Sequence, residues 1–142
     1  MLARACATVL VLFIPTGAAH SGGQLVLSAV VAKNAQLSVR DHPASIEVRE
    51  LDVARGYLDV PSGPRIDVRT NSRDGLMVSF IAGGEPVRAV RLRGTGGESI
   101  LLPGPARGIA NHRIEPGYRL ILAPDARPGT YAWPVQVVAT PL

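Results

Sequence analysis

The sequence predicts an all-β protein, built as an antiparallel sandwich or barrel, and three observations predict it. Apolar and polar residues alternate in short runs, as they do in strands with one face buried. Turn signals separate these runs at intervals of about 8–12 residues. No long helical period occurs; only residues 51–56 suit a short helical turn. The chain has 142 residues, room for one domain, and 46% of them are hydrophobic, enough to build a core.

The first element is a leader. Residues 1–19 (MLARACATVLVLFIPTGAA) begin with the positive Arg4, continue through an apolar run over 7–14, and end in small residues after Pro15. Gly17 and Ala19 suit the two specificity positions of a signal peptidase site, so cleavage is expected after Ala19. The apolar stretch over 5–19 is interrupted by Pro15 and falls short of the roughly 20 residues a spanning helix needs. The expected product is exported to the periplasm, the cell surface or the medium, with no stable membrane span after cleavage. It is a single domain over 20–142.

Cys6 leaves with the leader, so the mature chain has neither thiol nor disulfide, which excludes thiol catalysis and zinc–thiolate sites. The formal charge of +4 becomes +3 without Arg4, and the acids are interspersed among the arginines, so no basic block forms. Aromatics are only 4% of the chain, too few for a base-stacking platform. Nucleic acid is not an expected partner.

Residues 24–32 (QLVLSAVVA) come first in the mature chain, with Leu25, Leu27, Ala29 and Val31 on one face of an extended strand. Residues 45–49 place Ile46 and Val48 inward, and residues 65–70 do the same with Ile66 and Val68. Leu76, Val78 and Phe80 share a face, and Val90 and Leu92 alternate with Arg91 and Arg93. Further runs cover 100–102, 118–122 and 133–137. Turns are expected over 71–75 (NSRDG), 83–86 (GGEP), 94–97 (GTGG), 103–105 (PGP), 115–117 (EPG) and 127–129 (RPG). In residues 122–131 (LAPDARPGTY), Tyr131 follows an Asp- and Gly-containing turn and leads into a strand, as in a tyrosine corner. Its hydroxyl should bond upstream backbone and pin a Greek-key crossover. Trp133 reads as core or interface packing.

Catalytic patterns are missing from the sequence: it has no GxSxG elbow, HExxH, Walker loop or dinucleotide fingerprint. Residues 94–97 lack the Lys-Ser/Thr of a phosphate loop and read as a hairpin turn. The carboxylate pairs Glu47/Glu50 and Asp52/Asp59 read as surface charges, not a hydrolase dyad. The expectation is no enzymatic activity and no cofactor. One metal alternative exists. Cleavage after Ala19 makes His20 the first residue, and its amine and ring nitrogen can hold Cu(II), with His42 or His112 as a further ligand. The alternative function is thus a self-contained periplasmic binding domain, with copper at His20 and His112 as one version.

Three segments carry a family resemblance: 25–39 (LVLSAVVAKNAQLSV), 68–78 (VRTNSRDGLMV), and 128–131 (PGTY) with 135–138 (VQVV). They resemble the opening strands, a strand–turn–strand and the final strand of spore coat protein U-like and chaperone–usher pilin-like domains. The resemblance covers about a third of the chain. At the break where many such domains carry cysteine, this chain has Asn34 and Ala35. The resemblance implies an immunoglobulin-like Greek-key sandwich lacking one strand, completed first by a periplasmic chaperone and then by a neighbouring subunit. It implies a structural or accessory subunit of a fibre, pilus or coat, with Leu25, Leu27, Ala29 and Val31 as the side chains donated to other subunits. The bare pattern equally allows residues 24–32 to pair within their own sheet.

Overall fold

The computed structural model describes residues 32–142. The described chain runs β1 (Ala35–Arg40), β2 (Ser45–Val48), α1 (Glu50–Arg55), β3 (Tyr57–Val60), β4 (Arg65–Thr70), β5 (Leu76–Ala82) and β6 (Val87–Leu92). It continues through β7 (Ser99–Leu102), β8 (Ala110–Ile114), β9 (Tyr118–Leu122), β10 (Gly129–Ala132) and β11 (Val135–Pro141). It is all-β apart from one six-residue helix. The strands form antiparallel sheets of order β1-β4-β8, β11-β5-β7 and β3-β9-β6, and a pair β10-β2.

Alternation creates the core. Strand β4 buries Ile66, Val68 and Thr70, β5 buries Leu76, Val78 and Phe80, and β9 buries Tyr118, Leu120 and Leu122. Apart from the polar Thr70, these side chains share one apolar cluster with Ile46, Val48, Val87, Val90, Leu92, Leu102 and Val135. The hydrophobic effect, at roughly 25 cal/mol per Å² of apolar surface, is the force that holds the sheets together.

The helix matches the turn expected over 51–56, but its chemistry corrects one expectation. Asp52 is buried, not a surface charge: one carboxylate oxygen accepts from the Arg49 backbone N–H at 3.1 Å and the other from Arg55 Nη2 at 2.7 Å. It caps α1, and Gly56, in the left-handed region at φ 77°, ends it. Asp59 pairs with Arg119 through two bonds of 2.8 and 2.9 Å, and that guanidinium holds its carboxyl below the usual range.

Other differences have local causes. The strand expected over 133–137 begins at Val135 and runs to Pro141. Pro134 has no N–H to give a ladder, and the Trp133 N–H donates to the Ala44 carbonyl at 3.1 Å instead. The loop over 94–97 is tightened by Leu92–Gly97 and Gly96–Leu92 backbone bonds but is not a hairpin. It carries the chain from β6, paired with β9, to β7, paired with β5. The Tyr131 hydroxyl donates to the Arg127 carbonyl at 2.9 Å, closing the turn before β10.

Tyr118 is the one misfit in this core. Its ring lies 5.6 Å from Phe80 and 5.9 Å, edge-on, from Trp133, and burial pushes its phenol pKa up. Among the described residues its buried hydroxyl has no hydrogen-bond partner. Such a group costs about 1–3 kcal/mol. Tyr118→Phe is therefore expected to raise the urea midpoint by the equivalent of about 1–3 kcal/mol. A lowered midpoint would show that the hydroxyl has a partner after all.

Candidate functional site

Two edge strands lie side by side without pairing. Among the described residues, strand β1 is bonded to β4 alone and β11 to β5 alone, yet β1 and β11 are in contact. They run antiparallel, because their ends are tied in opposite order. At one end Lys33 Nζ donates to the Leu142 carbonyl at 2.5 Å and to Asp74 at 2.6 Å. At the other, the Trp133 N–H reaches the Ala44 carbonyl. Between the ties no ladder joins them among the described residues, so each offers an edge of unpaired backbone groups.

Burial marks the same seam. The inward residues of β4 and β5 are fully buried, whereas Leu37 and Val39 on β1, and Val137 and Ala139 on β11, are only half-buried. Beside them a groove of about 410 Å³ is lined by Val39, His42, Ala44, Ala132, Trp133, Val135 and Val137. His42 and the Trp133 indole are its polar rings, and the His42 Nδ1–H donates to the Pro43 carbonyl at 3.0 Å. Chemically the seam can accept an extended apolar segment: alternate side chains into the groove, main-chain bonds to either edge.

Asparagine sets where the chain enters. The Asn34 N–H donates to Asn71 Oδ1 at 2.6 Å, and Asn71 Nδ2 donates to the Ala32 carbonyl at 2.9 Å. The Asn71 N–H in turn donates to the Asn34 carbonyl at 3.3 Å. These bonds fasten residues 32–34 to the end of β4.

Of the residues singled out by sequence, Leu25, Leu27, Ala29, Val31 and His20 lie outside the described residues. Trp133 is half-buried, packs on the core and lines the groove. His112 sits on β8 opposite Val68, and its Nε2–H donates to the Pro103 carbonyl at 2.8 Å, so that nitrogen is already committed. His42 lies in the loop between β1 and β2 and His112 on β8, and among the described residues no cluster of three metal-ligating side chains occurs. The groove residues Val39, Val135 and Val137 were not singled out as site residues, because the seam joins strands about a hundred positions apart.

Outside the seam, β11-β5-β7 turns an uncharged face outward through Met77, Ile81, Leu101 and Val138. The β1-β4-β8 sheet turns outward a row of arginines instead. Compared with protein families, curated proteins and solved structures, the chain has no match.

Proposed function

We propose that this chain is an exported, non-enzymatic structural or accessory subunit of a surface fibre, pilus or coat. In this reading the leader over 1–19 is removed and the domain is an immunoglobulin-like Greek-key sandwich. Residues 24–32 of one copy add as a strand in the β1/β11 seam of the next. Leu25, Leu27, Ala29 and Val31 turn into the groove beside Leu37, Val39, Val137 and Ala139. A periplasmic chaperone shields the seam before assembly.

The observation that supports this reading is the seam itself, with two edges that are unpaired among the described residues, beside half-buried apolar side chains. Fully burying a Leu or Val contributes about 1.5–3 kcal/mol, and each net main-chain bond about 0.5–1.5 kcal/mol. Several of each, acting together, make an added strand hard to remove.

The test is the size of the exported, processed protein in SDS without and with boiling. The expected result is a ladder of multiples that collapses to one band on heating. A single folded monomer in the unheated lane would overturn strand exchange and mean that the first strand completes its own domain.

A further inference from the structure

The outward face of the β1-β4-β8 sheet has a composition that packing does not require. Its cross-strand rows are Gln36–Arg69–Asn111, Ser38–Asp67–Arg113 and Arg40–Arg65. No apolar side chain interrupts them. All of them but Arg65, together with Leu37, Val68 and His112, line an open concavity of about 770 Å³, within the roughly 300–1,000 Å³ of ligand sites.

The charges in it are unbalanced. Arg113 lies 2.7 Å and Arg40 3.6 Å from Asp67, so one carboxylate serves two guanidinium groups. Arg65 turns to Glu115 at 2.7 Å. Arg69 has no carboxylate partner among the described residues; its cross-strand neighbours are the carboxamides of Gln36 and Asn111. Around the cavity three arginines therefore face one aspartate.

We propose that this face binds a carboxylate-bearing glycan, with Arg69 as the principal contact to the carboxylate. A guanidinium grips a carboxylate with two parallel bonds. Gln36, Asn111 and Ser38 add the mixed donors and acceptors that sugar hydroxyls need. The cavity has no Phe, Tyr or Trp in its lining, and its one ring, His112, is held by the Pro103 carbonyl, which disfavours a neutral sugar held by stacking or a nucleic-acid base. The site shares β1 and Leu37 with the seam, but its polar groups Gln36, Ser38, Arg69 and Asn111 lie on the outward face of the sheet, so it does not rest on strand exchange.

The experiment is titration of the processed protein with polygalacturonate, dextran sulfate and neutral dextran at fixed salt. Expected are saturable binding of polygalacturonate, none of neutral dextran, and a loss of about tenfold or more on Arg69→Gln. Asn111→Asp, which sets a negative charge beside Arg69, should weaken binding similarly. Arg88→Gln, at an exposed position on β6 outside the cavity, should change nothing. Both substituted side chains of the site are exposed, so matching melting curves verify the fold. Equal loss in the Arg69 and Arg88 variants would overturn the proposal in favour of diffuse charge attraction. Binding of dextran sulfate alone would overturn the carboxylate assignment.

Discussion

Replacing Leu120 with alanine is expected to lower the unfolding free energy by about 2–5 kcal/mol. Leu120 is fully buried on β9, the central strand of its sheet, with Leu58 opposite on one side and Val90 on the other. Because β9 is bonded along both edges, its backbone has little freedom to close the cavity that the missing carbons leave. That places the cost toward the upper end of the range. Domains of this size are stable by only about 5–15 kcal/mol, so the variant should melt about 10 °C lower or more. Equilibrium urea unfolding checks it: the midpoint should fall with an unchanged slope. A loss below about 1 kcal/mol, the order of a single methylene, would remove Leu120 from the centre of the core.

The second large effect concerns assembly and should leave the domain's own stability alone. Leu27→Asp in the exported protein is expected to abolish the heat-sensitive ladder. In the proposed arrangement residue 27 enters the groove beside Val39, Val135 and Val137, where an aspartate would lose its hydration without gaining a partner. The variant should still accept a wild-type segment, since its own seam is unaltered. Mixed with wild type, it should therefore cap growing chains and shorten them. Val137→Asp should give the converse, a subunit that donates but cannot accept. Persistence of the full ladder in Leu27→Asp would remove residues 24–32 from the role of donor.

The strands that were legible in sequence are those with one face fully buried and the other charged. Residues 65–70 and 118–122 appear in the structure with unchanged bounds as β4 and β9, because Arg65, Asp67, Arg69 and Arg119 punctuate the apolar positions. Strand β3 was invisible: all four of its residues are half-buried, so no contrast survives along Tyr57–Val60. Strand β8 is ANHRI, whose inward residues include His112. A histidine at an apolar position weakens the period-two signal. The seam was hidden for a different reason. Local patterning can suggest that β1 and β11 are strands, but their facing edges are set by the ties at Lys33–Leu142 and Ala44–Trp133. The arginine face likewise needs the register of three strands to bring Gln36, Arg69 and Asn111 into one row.

The asparagine clamp at residues 32–34 governs how an assembly would bend. Asn71 fastens Ala32 and Asn34 to the end of β4, immediately before β1 begins at Ala35. The last residue of a segment 24–32 lodged in a neighbour would thus itself be fastened to its own domain, leaving almost no slack. Extended chain covers only about 3.3–3.6 Å per residue, so the few residues between strand and body could not act as a tether. Successive domains would abut, and bending the polymer would mean prising folded surfaces apart rather than rotating loose links. If strands are exchanged as proposed, the mechanical result would be a stiff rod, not beads on a string.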